Sequence, residues 1–410
     1  EEFMEMVSAS APSVGHCNTM GTATSMNSLA EALGMSLTGC AAIPAPYSER
    51  AQMAYDTGLR SAQLVEKDIK PSDIMTREAF QNAIVTASAI GASTNAPPHI
   101  IAIAKHLNIK LTLDDWEKWG EEIPLLVNLQ PAGDHLGEGF FQAGGVPVVM
   151  KELSKQNKIN NGAMTVTGKT VADNLANIKK TENEIIKNYE APMKDKAGFL
   201  VLRSNFFDTA IMKMSVVSEE FKKRYLSDSE HPMQFTARAI VFDGPEHYHN
   251  EINNPELNID ENCILIIRGC GPIGYPGSAE VVNMQPPDHL LKKGISALPC
   301  LGDGRQSGTS ESASILNVSP EAAAGGKLAI IQNNDLVKVD LIEKRVDVMI
   351  DQSVIDERMQ KVQFKFPANQ TPWQEIARNY VGQLSDGACL NMKEEYFDVS
   401  KTKGIPRDNH

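Results

Sequence analysis

The distribution of apolar residues changes near residue 195, and this change most constrains the fold. Residues 17–190 show helical spacing interrupted by loops. After residue 195, short β-rich runs follow one another with glycine-rich loops between them: 199–202, 210–217, 237–242, 263–267, 328–331, 336–342 and 346–350. Short strands without a repeated strand–helix–strand unit are typical of a barrel or a sandwich.

The apolar patterns also suggest where the parts of the chain begin and end. The run 263–267 is continuously apolar, which suits a buried strand. At 410 residues, a single hydrophobic core is unusual. We therefore expect a first domain over 1–195 and a barrel over 196–366. A final segment, 367–410, should contain a helix from Pro372 to about Leu384 and a polar tail.

The composition excludes several classes of partner. A formal net charge of −13 disfavours a nucleic-acid-binding surface. No apolar run approaches the roughly 18–20 residues of a membrane span. The six cysteines are scattered and form no CxxC pair, which is typical of a reduced, cytoplasmic protein. We expect a small-molecule substrate, no nucleic acid and no membrane.

Cys17 lies in a Gly/Thr-rich turn just before a predicted helix. The helix begins at Thr22, continues through apolar residues at helical spacing, and can end at Gly34. Exposed N–H groups and the helix dipole at such a position favour the thiolate. The local sequence leaves two roles open for this thiol, namely metal binding and nucleophilic attack.

Three glycine-rich segments, 91–95, 268–280 and 302–310, combine a close-approaching backbone with a few polar groups. Glu280 follows a Pro-Gly turn and is either a ligand for a hard metal such as Mg²⁺ or a solvated glutamate. Ser307 is either an activated base or a turn residue. Asp303 and Arg305 can pair with each other. The run Gly271–Gly277 is glycine-rich but lacks the GxGxxG spacing, so a nicotinamide cofactor is not expected.

Taken together, these segments resemble the dehydratase family that contains dihydroxy-acid, 6-phosphogluconate and sugar-acid dehydratases. The matching blocks follow the family's order over essentially the whole chain: 15–23, 42–46, 91–95, 303–308 and 320–326. Many members have Thr and an apolar residue where this chain has Gly302 and Gln306. These two departures, together with Cys300-Leu301 and the ending 404–410, make the sequence most similar to the sugar-acid branch of the family. Members of that branch act on L-arabinonate or D-xylonate.

The resemblance implies an α/β N-terminal domain, truncated here, followed by a C-terminal β-barrel. It also implies an Fe–S cluster, [2Fe–2S] in this branch, and a nearby Mg²⁺. By position, Cys17 corresponds to the third cluster cysteine, Glu280 to a Mg²⁺ ligand and Ser307 to the catalytic serine, with Thr309 beside it. The other ligands, including a modified lysine, belong to segments upstream of Glu1. The N-terminal third is thus expected to be absent, and both cofactors incomplete or missing.

The resemblance implies a hydro-lyase that converts an aldonate into a 2-keto-3-deoxy acid, in a cytoplasmic homodimer or homotetramer. Ser307 would remove the C2 proton, while the metals would act as Lewis acids without net redox change. One alternative is a dihydroxy-acid dehydratase of branched-chain amino-acid synthesis. Another is a non-catalytic oligomeric remnant that lacks the complete metal site.

Overall fold

The computed structural model describes residues 2–10, 14–308, 310, 313–364, 366 and 371–391. Its α-helices are α1 Glu2–Ser10, α2 Thr22–Ala32, α3 Ser48–Glu66, α4 Pro71–Ile74, α5 Arg77–Ile90, α6 Ala96–His106, α7 Leu113–Gly120, α8 Gly137–Gln142, α9 Gly145–Lys155, α10 Val171–Leu175, α11 Glu219–Phe221, α12 Pro245–Glu251, α13 Asp288–Leu291, α14 Gln352–Lys361 and α15 Pro372–Tyr380. Among these helices, none is long and apolar enough to cross a bilayer.

Helix α5 lies at the centre of the helical part. Thr76 precedes it and Gly91 ends it in the left-handed conformation, with φ of +63°. From Ala79 onward only Gln81 is not fully buried, and the many alanines let α2, α7 and α9 pack closely around it. The predicted helix from Thr22 is confirmed.

Strands begin only after residue 198 in the described chain. They are β1 Phe199–Leu202, β2 Thr209–Lys213, β3 Gln234–Asp243, β4 Cys263–Arg268, β5 Cys300–Gly302, β6 Ser314–Ser319, β7 Leu336–Asp340 and β8 Arg345–Val348. Residues before β1 contribute only isolated bridges, such as Leu125 with Lys194. The expected α/β character of the N-terminal domain therefore stays a prediction, as does its boundary near residue 195.

The eight strands form one mixed sheet in the order β1-β2-β6-β5-β4-β3-β7-β8. Strands β3, β4, β5 and β6 pair in parallel, and the outer pairs are antiparallel. The two edges meet where Arg203 N–H donates to Lys344 O at 3.0 Å and Val346 N–H donates to Arg203 O at 2.9 Å. The sheet is thus a nearly closed barrel, as the sequence predicts.

Strand β4 shows why a continuous apolar run was needed. Ile264 and Ile266 belong to the hydrophobic cluster that gathers residues from all eight strands and fills the barrel. Leu265 and Ile267 belong to a second cluster on the outer face, under Tyr248. Because successive strand side chains point to opposite faces, burial of both faces requires an apolar residue at every position.

Several predicted elements are wrong in type or extent. Residues 328–331 are predicted as a strand, but Lys327–Ile330 is a buried 3₁₀ helix, since short apolar runs do not distinguish the two. The run 210–217 leaves the sheet after Lys213 and continues as the 3₁₀ helix Met214–Val216. The C-terminal helix ends at Tyr380. Strands β5 and β6 are not predicted. The tail from residue 392 lies outside the described residues.

The helical part and the barrel pack through α7 and β1. The Trp116 ring meets the Phe199 ring edge-on, with centroids 5.5 Å apart. Lys344 Nζ donates to Glu117 at 2.7 Å, across the same junction. A Cβ on Gly198 would lie 2.1 Å from Gly120 O, so this close approach of two backbones requires glycine.

Trp116→Ala should lower the free energy of unfolding by about 3–5 kcal/mol, because it leaves a large cavity at this junction. Trp116 is only 1% exposed. The matched control is Trp373→Ala, since Trp373 is 78% exposed and its loss should cost less than about 0.5 kcal/mol. Urea unfolding followed by far-UV circular dichroism measures both variants, and equal losses would contradict the proposed packing.

Candidate active site

A hydrogen-bond cluster at the start of α2 joins three distant segments of the chain. Thr22 Oγ1 donates to Glu280 Oε1 at 2.9 Å, although 258 residues separate them. Asn95 Nδ2 donates to Thr22 Oγ1 at 2.9 Å and also contacts Glu280 Oε1. Ser93 Oγ lies 3.1 Å from Thr22 Oγ1. The glycine-rich segment 91–95 and Glu280 therefore come together at the start of α2.

The loop that carries Ser307 lies against this cluster. Asn95 Nδ2 is 3.0 Å from Gln306 O, and Ser307 N–H donates to Asn283 Oδ1 at 3.2 Å. A Cβ on Gly308 would lie 2.5 Å from Ser93 Oγ, so the loop can approach only because residue 308 is glycine. Ser307 itself is half-buried. Thr309 lies outside the described residues.

One oxygen of the Glu280 carboxylate is fixed by hydrogen bonds, whereas the other oxygen is free to bind a ligand. Oε1 accepts the hydrogen bonds from Thr22 and Asn95, whereas no described residue hydrogen-bonds to Oε2. The Glu280 side chain is half-buried, and the charge of Arg305 acts on it. A half-buried carboxylate with one fixed and one open oxygen can offer a single ligand to a hard cation.

Arg305 reaches away from Asp303, so the alternative that these two residues pair is wrong. Arg305 Nε donates to Ser278 O at 2.6 Å, and its Nη1 lies 3.2 Å from His99 Nε2. Burial and, secondarily, the charge of Arg305 lower the pKa of His99. A neutral His99 can accept a hydrogen bond from Arg305, which fixes the guanidinium beside Glu280.

Two buried carboxylates hold the glycine-rich loops in place. Asp303 accepts hydrogen bonds from the backbone N–H groups of Gly269, Cys270 and Ala322, at 2.8–2.9 Å. Glu321 accepts from Ile273 and Gly274 at 2.9 and 2.8 Å. Backbone donors that cannot reach water need such partners. The side chains of Asp303 and Glu321 therefore fix the backbone of the loops before Glu280 and around Ser307.

Cys17 lies in an open cleft on the other side of the turn that precedes α2. Its Sγ is exposed and lies 3.6 Å from Thr19 Oγ1. The cleft has a volume of about 860 Å³, and its lining includes His16, Arg50 and Glu138 but, among the described residues, neither Glu280 nor Ser307. The structure thus brings Glu280 together with the Ser307 loop. Cys17 lies outside this cluster, five residues before Thr22 in the sequence.

The donor set tests whether these residues fit the implied metal groups. Iron–sulfur clusters are bound mainly by cysteine thiolates, and Mg²⁺ by oxygen ligands. Cys17 and Glu280 each offer one suitable donor. Within the described ranges, no three His, Cys, Asp or Glu residues come together as a metal site. The residues described here fit single-ligand roles and do not by themselves complete either centre.

Sequence reasoning missed the polar residues that assemble the site. Asn95 lies inside the segment 91–95, but nothing in its local sequence shows that it contacts Glu280. The sequence indicates only that Thr22 is the first residue of a helix, and its contact with Glu280 also joins residues that are far apart in the sequence. Lys213 lies in a buried strand and faces the Ser307 loop; a lysine inside the apolar run 210–217 is the one signal that could have identified it.

Comparison with known proteins now defines the class. Sequence models described as dihydroxy-acid/6-phosphogluconate dehydratase N-terminal and C-terminal match residues 1–174 and 184–388. These matches cover most of the chain, so the protein belongs to the dihydroxy-acid/6-phosphogluconate dehydratase family, whose members are hydro-lyases. The resemblance seen in the sequence is confirmed.

Individual relatives point to the sugar-acid branch. A D-xylonate dehydratase from Caulobacter vibrioides is 56% identical over 410 residues, covering 100% of this chain and 68% of the relative. An L-arabinonate dehydratase from Rhizobium leguminosarum is 40% identical with the same coverage. A dihydroxy-acid dehydratase from Acetivibrio thermocellus is 38% identical over 387 residues, which cover 94% of this chain and 66% of the relative.

The buried carboxyl group of Glu321 should make the free energy of unfolding depend on pH. Burial raises the pKa of Glu321 to about 7, although hydrogen bonds from Gly274 and Ile273 oppose this rise. The ordinary value near 4.5 applies when the chain is unfolded, so the folded state binds the extra proton between about pH 4.5 and 7. This stabilisation is present below pH 4.5 and is lost as pH rises to 7. Glu321→Gln should therefore flatten the fall in stability across that window.

Urea unfolding at half-unit pH steps measures this slope. Glu66→Gln, which changes an exposed glutamate on α3, is the matched control and should keep the wild-type slope. An unchanged slope in Glu321→Gln would show that this carboxyl titrates in the folded protein as it does in the unfolded chain.

Proposed function

We propose that this protein dehydrates a sugar acid, an aldonate such as D-xylonate or L-arabinonate, to a 2-keto-3-deoxy acid. The observation that carries the proposal is the 56% identity with a D-xylonate dehydratase over the whole chain. The placement of the Ser307 loop against the Glu280 cluster supports it, because it brings a hydroxyl near a carboxylate with an open oxygen.

Ser307 is proposed to be the base that removes the proton from C2. Its hydroxyl is not basic unless its surroundings favour the alkoxide. The half-buried position of Ser307, on a loop fixed by Asn95 and Asn283, meets the need for accurate placement. Thr309, two residues further on, is proposed to contact the substrate or Ser307.

Cys17 is proposed as one ligand of an Fe–S cluster, of the [2Fe–2S] type, and Glu280 as one ligand of Mg²⁺. When bound, these groups would supply Lewis acidity at the C3 hydroxyl and at the carboxylate and C2 oxygen of the substrate. Within this chain, Thr22 and Asn95 orient Glu280, and Arg305 adds positive charge near the same carboxylate.

The assembly is proposed to be a cytoplasmic homodimer or homotetramer. All six cysteines are free, in keeping with a reducing compartment. On α3 no residue is buried, and Tyr55, Leu59 and Val65 are more than half exposed. An exposed apolar face of this kind suits association between copies.

Ser307→Ala in the intact, metal-loaded protein should lower kcat by about 10²- to 10⁴-fold, because the general base is lost. The visible absorbance of the cluster should remain, since Ser307 is not a ligand. Ser61→Ala, on the exposed face of α3, is the control and should retain full turnover. Wild-type turnover in Ser307→Ala would exclude the serine as base.

Substrate profiling tests the choice of branch. Formation of 2-keto acid from D-xylonate, L-arabinonate and 2,3-dihydroxy-isovalerate is measured with the same intact protein, together with bound iron and magnesium. We expect kcat/KM for a pentonate to exceed that for 2,3-dihydroxy-isovalerate by at least tenfold, or about 1.4 kcal/mol in transition-state binding.

Two other results would each support a different function. Preference for 2,3-dihydroxy-isovalerate would assign the protein to branched-chain amino-acid synthesis. No turnover of any of the three acids, with no bound iron, would support the non-catalytic alternative.

A further inference from the structure

A lysine is buried beside the Ser307 loop, and no described carboxylate forms an ion pair with it. Lys213 is the last residue of β2 and only 5% exposed. Its Nζ has no hydrogen-bond partner in the described part of the chain. A buried, unpaired amine is costly, so its retention calls for a reason beyond packing.

The strand geometry directs Lys213 toward the helical part rather than into the barrel. Met212 belongs to the cluster that fills the barrel, whereas Ile211 belongs to the helical core. Side chains alternate along a strand, so Lys213 shares the face of Ile211. That face is covered by the segments that build the candidate site.

Lys213 and Ser307 line the same small cavity. Its volume is about 10 Å³, which is close to the space of one water molecule. Thr94, next to Asn95, also lines this cavity, as do Ser310 and Gly308. The residues that carry the amine and the hydroxyl thus meet at one small cavity.

The protonation state of this lysine is set by its surroundings. Burial and, secondarily, the charge of Lys194 lower the pKa of Lys213 to about 7. Among the described residues, Lys194 is the charged residue that acts on it, and Lys194 Nζ itself is held by the backbone oxygens of Ser215 and Val217. An amine of this kind is largely neutral at slightly alkaline pH and can accept a proton.

We propose that Lys213 is a positioning residue that takes up the Ser307 hydroxyl proton, directly or through one water, and so generates the alkoxide that acts on C2. The proposal rests on the proposed role of Ser307 as base. A neutral amine next to a serine hydroxyl is a known solution to the weak basicity of serine, and the ammonium that forms then stabilises the alkoxide.

The proton balance of one turnover closes without any other reagent. The Ser307 proton passes to Lys213 Nζ, and the alkoxide then takes the C2 proton, which restores the hydroxyl. The C3–O bond breaks with its electron pair on oxygen. The proton held by Lys213 passes through solvent to that hydroxide, so the substrate loses one water and both side chains return to their starting state.

The pH profile of kcat/KM in the metal-loaded protein tests this role. The wild type should gain activity through a limb near pH 7, where Lys213 becomes neutral. Lys213→Met should lose about 10²-fold or more in kcat with little change in KM, and should lose this limb. Lys194→Met should move the limb to higher pH, because a positive charge that opposes protonation of Lys213 is removed. A limb that stays in place in both variants would overturn the proposal.

A second measurement does not depend on turnover or on the folding of a lysine variant. ¹³Cε-lysine NMR of the wild type should show one lysine that titrates near pH 7, and Ser307→Ala should shift its midpoint because the shared hydroxyl is gone. Titration of every lysine above pH 9, or an unchanged midpoint in Ser307→Ala, would overturn the proposal. If the wild type turns over no aldonate, the proposed function fails, while this titration still decides whether Lys213 and Ser307 are coupled.

Discussion

The hydrogen bonds from Thr22 and Asn95 to Glu280 are the interaction on which the candidate site depends. They connect the first turn of α2, the turn after α5 and the loop that follows β4. The same Asn95 amide contacts the backbone of the Ser307 loop. Removal of this one amide would leave a carboxylate, a hydroxyl and a backbone oxygen without a common donor. The position of Ser307 relative to Glu280 is therefore set by a side chain from the helical part, whereas both loops belong to the barrel.

The barrel supplies the loops that carry Glu280 and Ser307 and holds them rigidly in place. Strand β4 is packed on both faces, and the loops that leave its end are held by Asp303 and Glu321 through backbone N–H groups. Glycine-rich loops have few side chains that could hold them in one conformation. Buried carboxylates that accept several backbone hydrogen bonds hold such loops in place. Glycine at 308 then allows the fixed loop to approach the start of α2 closely.

The sequence predicts those elements whose burial follows from a local pattern of apolar residues. The prediction fails where burial depends on residues that are distant in the sequence. Strand β4 is predicted because two apolar clusters require five consecutive apolar residues. Strand β6 is missed because it buries Ser314, Asn317 and Ser319, which read as loop residues until their partners are known. Helix α3 is missed because none of its residues is buried. Likewise, Glu280 and Ser307 are predicted from the family resemblance, while Thr22, Asn95 and Lys213 join the candidate site through contacts across more than 70 residues.

The long sequence separation within the Thr22–Glu280 contact has a consequence for the order of folding. Closing a flexible loop of 258 residues costs about 5 kcal/mol of chain entropy on a logarithmic scale, whereas one hydrogen bond contributes about 1 kcal/mol net. The cluster cannot form until the helical core and the barrel have each condensed and shortened that loop. During synthesis, a ribosome must also release the chain beyond Gly308 before the Ser307 loop can dock. Assembly of the site is thus expected to follow the condensation of the elements that carry it.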